Sequence, residues 1–313
     1  FNVKEDAEIS IECNPGTLTL NKLLTYRDAG VNRLSIGLQS TNDEELKLLG
    51  RIHTYDQFVK NYEMARNVGY KNISVDLMYG LPQQTTEKYL DTVNRIVRLK
   101  PDHISAYSLI VEKGTPFYEK YKFDMVKQEA GMRTEFLPNE DELYEMEKAG
   151  QAQLFDAGYK QYEISNYAKN NMACRHNIGY WTRENYLGLG IGAASLLDNV
   201  RYTNTSDIDK YLSGCRNIHD MKEDVFRTNL HISADVIDRK AQMEEFMFLG
   251  LRMNEGVTRE AFEKSFGISI DAIYKNIIDD LKNQDLLVVR AGHIFLSPKG
   301  KDVANYVMAQ FLT

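Results

Sequence analysis

The chain has 313 residues, with Lys+Arg 38 against Asp+Glu 45, a net charge of −7, and 43% hydrophobic and 27% charged residues. That mixture is globular: too apolar and too mixed in charge for a disordered chain, and without the basic excess of a general nucleic-acid binder. No apolar run approaches the roughly 18 residues of a transmembrane helix. Three cysteines, Cys13, Cys174 and Cys215, are too few and too far apart for a disulfide framework or a zinc ribbon, and point to a reducing, cytoplasmic compartment. The chain starts at Phe1, already heading into a strand, without Met or a signal peptide, and reads as a fragment of a longer protein.

The first 110 residues alternate strand and helix. Four short runs predict strands: Glu8–Cys13, Arg33–Gln39, Ile73–Tyr79 and His103–Leu109. Helical patterns lie between them. One runs over Thr19–Ala29 and stops at Gly30; another starts at Thr54, with Gln57 at capping-box spacing, and ends near Gly69; a third starts near Thr85 or Thr86 and ends before Pro101. The alternation implies βαβ units and a parallel sheet. The stretch 29–36 is echoed at 68–75 and again at 157–164, each a helix stop, a short loop and a new strand, as repeated loop chemistry would produce. Residues 111–137 look irregular, Pro138 to Gly158 reads as a long acidic helix, and 160–235 mixes short strands with glycine-rich turns. Helical patterns at Ala241–Met253, Thr258–Phe266 and Ile270–Gln284, a hairpin at Leu286–Leu296 turning on Ala291-Gly292, and a last helix Pro298–Phe311 make a winged-helix pattern. The expected domains are 1–160, a mixed α/β extension 161–238, and 239–313.

Side chains alternate along a strand, so Leu34, Ile36 and Leu38 oppose Ser35, Gly37 and Gln39, and Ile73, Val75 and Leu77 oppose Ser74 and Asp76. Every strand has one apolar face; the other is small at its start and polar near its C-terminal end. A sheet covered by helices on both sides would be apolar on both faces. A barrel holding a polar ligand explains the asymmetry better, with Glu12, Gln39 and Asp76 at the strand ends where such barrels place their sites. The alternative is a polar layer that hydrogen-bonds itself inside a packed barrel.

Ile11-Glu12-Cys13-Asn14-Pro15-Gly16-Thr17, Asn32 through Ser40, Leu49-Gly50-Arg51-Ile52-His53 and Val75 through Pro82, taken in order, resemble the radical S-adenosylmethionine (SAM) enzymes of the oxygen-independent coproporphyrinogen III oxidase family. The resemblance covers nearly the whole chain. It implies a partial (β/α)6 radical-SAM barrel, an α+β extension and a C-terminal winged-helix-like domain. It also implies that Glu12 holds the ribose hydroxyls of SAM while Gln39, Arg51 and Asp76 contact its polar parts. Carboxylates suit ribose O–H donors, and an arginine fork suits the methionyl carboxylate. The other reading of Arg51 is an exposed helix-end cation. His53 receives no role. The family's C-x3-C-x2-C cluster motif and glycine-rich SAM motif are absent, so the four strands would be strands three to six, with the 4Fe-4S ligands expected upstream of Phe1.

His176-Asn177-Ile178-Gly179-Tyr180-Trp181 matches the motif of the family's heme-chaperone branch. There His176 is a candidate axial heme ligand, against a structural histidine, and Tyr180 and Trp181 either pack on the porphyrin or fill the core. Gly188–Ser195 lacks the strand–turn–helix context of a dinucleotide fingerprint. The third C-terminal helix has no positive face for nucleic acid. The resemblance thus implies a cytoplasmic heme chaperone that binds heme and SAM, takes electrons from an external donor and passes heme to an acceptor protein, touching a membrane only peripherally through that acceptor. The rival within the family is the oxidase, which decarboxylates coproporphyrinogen III to protoporphyrinogen IX. Two readings from other classes stand beside these: a hydrolase using Glu12 and Asp76 as an acid/base pair, and a non-catalytic binding scaffold.

Overall fold

A computed structural model describes residues 2–169, 171–217 and 230–312. The chain divides into two compact units, Phe1–Cys174 and Arg175–Thr313.

The first unit is built on a six-stranded mixed sheet. Strands β1 (Ser10–Cys13), β2 (Arg33–Gln39), β3 (Ile73–Tyr79) and β4 (His103–Ser108) run parallel in that order. They fall where the alternation placed them. β5 (Lys160–Glu163) and β6 (Asn166–Ala168) form a tight hairpin, and β6 pairs antiparallel with β4, giving the order β1-β2-β3-β4-β6-β5. The parallel strands are joined by α1 (Leu20–Asp28), α2 (Asp43–Leu48), α3 (Tyr55–Val68) and α4 (Thr86–Leu99). The Thr54/Gln57 capping box forms, so two otherwise orphaned N–H groups find acceptors at the start of α3. Gly30, Gly69 and Gly158 all adopt positive φ, at 92°, 104° and 83°, so the threefold echo is one loop geometry that favours glycine.

Leu34, Ile36, Leu38, Ile73, Val75, Leu77 and Ile104 are fully buried on one face of the sheet. They pack against Leu23 of α1, Phe58 and Ala65 of α3, Val93 and Ile96 of α4, and Met146 and Leu154 of the acidic helix α6 (Glu140–Asp156). Each such side chain contributes about 1.5–3 kcal/mol. α6 lies close on α4: a Cβ on Gly150 would sit 2.6 Å from the ring of Tyr89.

The stretch 111–137 is irregular only at its two ends; a helix fills its middle, which corrects the sequence expectation in part. Thr115 caps a helix α5 (Pro116–Glu129) that begins on Pro116. Only Tyr121 and Asp124 of α5 are buried, so no apolar stripe announces it. Asp124 instead ties down the segment beyond the helix: its carboxylate accepts the backbone N–H groups of Glu135, Phe136 and Leu137 at 3.0, 2.5 and 3.0 Å. Burial pushes this carboxyl up, but the three N–H donors and nearby Lys127 hold it below the usual range.

The second unit opens with α7 (Arg175–Trp181), then β7 (Ala194–Leu197), β8 (Val200–Asn204), α8 (Ile208–Asn217) and β9 (His231–Val236); β7, β8 and β9 form an antiparallel sheet. Residues 218–229, part of the stretch expected to mix strands and turns, lie outside the described residues. The C-terminal pattern continues as α9 (Arg239–Gly250), β10 (Val257–Thr258), α10 (Arg259–Phe266), α11 (Ile270–Asn283) and the hairpin β11 (Leu287–Arg290) and β12 (His293–Leu296). Ala291 and Gly292 turn the hairpin with φ of 52° and 82°, the pair of positive values a two-residue primed turn needs. β10, too short to read from sequence, pairs with β12 and completes a three-stranded sheet. The last helix is corrected to two, α12 (Pro298–Asp302) and α13 (Ala304–Ala309), broken where Val303 leaves helical backbone at φ −122° and ψ 35°.

Candidate functional site

The helix-free face of the first sheet is polar, and its strand register aligns it. One row runs Glu12, Ser35, Ser74, His103; the next runs Gly37, Asp76, Ser105, Asn166. Asp76 is central. Both its carboxylate oxygens lie 3.3–3.4 Å from the Ser35 hydroxyl, which donates to them. Burial pushes its carboxyl above the usual range, against the hydroxyls of Ser105 and Ser35 and the charge of Arg33, while Glu12 adds to the rise.

Gln39 reaches this face through a bulge. The β2–β3 register shifts between Gly37 and Gln39, and Gln39 sits at φ 78°. Its amide folds back over Gly37, where an added Cβ would lie 3.1 Å from Nε2, and its Oε1 accepts the Tyr107 hydroxyl at 3.2 Å. Gly37 therefore leaves the room Gln39 uses. Arg51 comes after α2, and its Nη1 donates to Asn14 Oδ1 at 3.0 Å, across to the end of β1. That contact departs from the helix-end-cation reading. Glu12 is exposed.

Tyr107 gathers these groups. Burial pushes its hydroxyl up first, Asp76 and Glu12 push it further, and Gln39 and Arg51 pull it back. One phenol thus feels all four first-unit residues picked from the sequence. Sequence reasoning missed Tyr107, Asn14 and Arg33 as site residues. Tyr107 and Arg33 share the parity of Ser105 and Ser35, the signal that would have found them; Asn14 has no such signal. His53 is buried, with Nε2 3.4 Å from the Leu38 carbonyl, and burial pushes its pKa down.

Behind the strand ends lies a second carboxylate. Glu45 of α2 is 6% exposed, and its Oε2 accepts Ser40 Oγ at 2.5 Å and Gln84 Nε2 at 3.1 Å. Ser40 comes directly after β2 and Gln84 two residues after Pro82, in the loop that follows β3, so one side chain joins both loops.

The opposite end of the face is closed. His103 is fully buried between Ser74 Oγ at 2.7 Å from Nδ1 and the Tyr162 hydroxyl at 2.9 Å from Nε2. Tyr162 also accepts the Cys174 backbone N–H at 3.2 Å. A consistent proton assignment has Tyr162 donating to Nε2 and Nδ1–H donating to Ser74. Burial, helped by Arg33, pushes the His103 pKa down to about 3.

His176 belongs to the second unit and is exposed on α7. Its ring meets Tyr180 edge-on at 4.7 Å, and Tyr180 meets Tyr186 the same way at 4.7 Å. The Arg252 guanidinium lies 4.2 Å over the Trp181 ring. Glu245 accepts Arg183 Nε at 2.7 Å and Arg201 Nη1 at 2.8 Å. Burial raises the Glu245 carboxyl, but hydrogen bonds from Arg201 and Arg183 more than offset it and hold it below the usual range.

These groups bear on three ligands. A carboxylate, an amide, an arginine and a phenol at one strand-end cluster fit a molecule with hydroxyl, amino and carboxyl groups, as SAM has. An exposed imidazole fits heme iron. The iron–sulfur cluster finds no match: among the described residues no group of three His, Cys, Asp or Glu could hold a metal, and Cys13 and Cys174 are buried.

Comparison with known proteins agrees with this geometry. Residues 2–96 match the radical SAM superfamily and residues 237–303 match the HemN C-terminal domain. The fold is similar to coproporphyrinogen III oxidase HemN from Escherichia coli, described as a radical SAM enzyme, with a TM-score of 0.77, 22% identity, and 98% of this chain and 70% of that one covered. The class is therefore a radical SAM protein. The heme chaperone HemW of Lactococcus lactis subsp. lactis (strain IL1403) is 35% identical over 305 residues, 97% of this chain and 75% of the relative. The heme chaperone HemW of Bacillus subtilis (strain 168) is 34% identical over 306 residues, 98% of this chain and 76% of the relative. The chain belongs to the HemW family of radical SAM proteins.

Proposed function

We propose that this chain is a heme chaperone: it binds SAM at the strand ends of its first unit, binds heme at α7 of its second, and passes heme to an acceptor protein. The observation that carries the SAM half is the strand register, which sets Glu12 and Asp76 on one sheet face beside Gln39, whose amide accepts the Tyr107 hydroxyl. The observation that carries the heme half is the exposed His176 braced by Tyr180. Glu12 accepts the ribose hydroxyls; Arg51, steered by Asn14, takes the methionyl carboxylate; Gln39 and Asp76 hold the remaining polar atoms. When bound, SAM supplies one-electron chemistry that depends on a reduced iron–sulfur cluster and an external electron donor. His176 would supply an imidazole nitrogen to heme iron. The names of the relatives support the chaperone over the oxidase. No helix among the described residues is long and apolar enough to cross a membrane. Cysteine usage supports a reducing compartment, and we place the protein in the cytoplasm.

Heme titration tests the reading. The full-length protein should bind heme with a spectrum that His176→Ala alters, and should leave coproporphyrinogen III unconverted under anaerobic conditions with SAM and a reductant. Unchanged spectra and affinity in His176→Ala would remove the ligand, and conversion of the porphyrinogen would favour the oxidase.

A further inference from the structure

We propose that Arg201 is an anchor for a carboxylate of the tetrapyrrole, taking one propionate of the heme whose iron meets His176. The inference rests on the heme reading of His176 and adds a residue from a different element. A continuous path links the two. His176 meets Tyr180 and Tyr180 meets Tyr186, 4.7 Å apart at each step, and Tyr186 bridges Leu196, the register partner of Arg201 on β8. The path sets a metal ligand at one end, two phenol rings between, and a cation at the other.

The charge arithmetic favours an anion. Among the described residues, Arg183 and Arg201 share the carboxylate of Glu245, two cations on one anion. The partners divide by exposure. The Arg183 side chain is 12% exposed, spends Nε on Glu245 and Nη1 on Asn199, and so supplies the buried half of the pair. The Arg201 side chain is 40% exposed and holds Glu245 through Nη1 only. A guanidinium has five N–H donors in a fixed fork, so a carboxylate arriving from solvent can be met without breaking the Glu245 bond. Glu245 is then a positioning residue that fixes the fork. Asp235 faces Arg201 across β8 and β9 in the strand register; a carboxyl there works against an incoming anion.

Heme and heme dimethyl ester, whose propionates are capped as neutral esters, separate this role from packing. In the full-length protein Arg201→Gln should weaken heme about tenfold, the value of one charge-assisted hydrogen bond. The dimethyl ester should bind the wild type and Arg201→Gln alike. Arg201→Lys should restore part of the heme affinity, and Asp235→Asn should tighten heme but not the ester. An equal heme-to-ester affinity ratio in wild type and Arg201→Gln overturns the inference. Should Gln fail to fold, the same ratio is read in Arg201→Met, which keeps the apolar stem without the charge, and a value equal to wild type there overturns it likewise. His176→Ala, measured alongside, should alter the spectra of both heme and ester. If it alters neither, the heme reading itself fails, which is a different result from a failed Arg201.

Discussion

Glu12 and His103 stand at opposite ends of one register row, with Ser35 and Ser74 between them. Both are polar side chains on the same sheet face, yet their surroundings differ. His103 is fully buried and both ring nitrogens have partners. Glu12 is exposed near a strand end. A polar group that the fold satisfies specifies structure; one the fold leaves open at a strand end is available to a ligand. On the proposed SAM reading the row runs from a scaffold at β4 to a binding edge at β1.

The largest effects fall at the closed end. His103→Leu strands the hydroxyls of Ser74 and Tyr162 and should destabilise the protein by about 3 kcal/mol in urea unfolding, with SAM affinity unchanged. A matching loss of SAM affinity would mean the two ends are not separate. The same histidine sets an acid limit. Its folded pKa is about 3 against an ordinary 6.5, so below pH 6.5 the unfolded chain binds a proton that the native chain refuses. Its contribution is complete above pH 6.5 and is lost as pH falls from there towards 3, at about 1.4 kcal/mol per pH unit. Stability curves across that range should lose this slope in His103→Leu.

At the open end the effects move from stability to binding. Glu12→Ala should weaken SAM about tenfold by equilibrium dialysis with the full-length protein, at little cost in melting temperature. A variant that melts early but binds normally would place Glu12 with His103. The smallest effect is expected between the two. Gly37→Ala puts a methyl 3.1 Å from Gln39 Nε2, and should turn the amide aside and weaken SAM about threefold, or roughly 0.6 kcal/mol. Tyr107→Phe, which removes the donor to Gln39, should resemble it.

The strands were legible because the alternation of Leu34, Ile36 and Leu38 with Ser35, Gly37 and Gln39 carries both element and face. The helix starts were legible where a cap was written out, as at Thr54 and Gln57. α5 was not, since Asp124 holds its neighbourhood by hydrogen bonds to backbone, and backbone leaves no pattern in a sequence. The position of Gln39 was legible for an incomplete reason: parity gave the right face, but a bulge delivers the side chain. Arg51 was assigned by resemblance, and its contact with Asn14 joins residues from two loops that only the folded chain brings together.

Glu45 has a mechanical consequence. Its carboxylate is the shared latch of the loops after β2 and β3. Swinging either loop away alone would leave a buried charge short of a donor, a penalty of about 3 kcal/mol. The loops that follow β2 and β3 are thus tied to each other through one side chain, so a displacement of one is passed to the other.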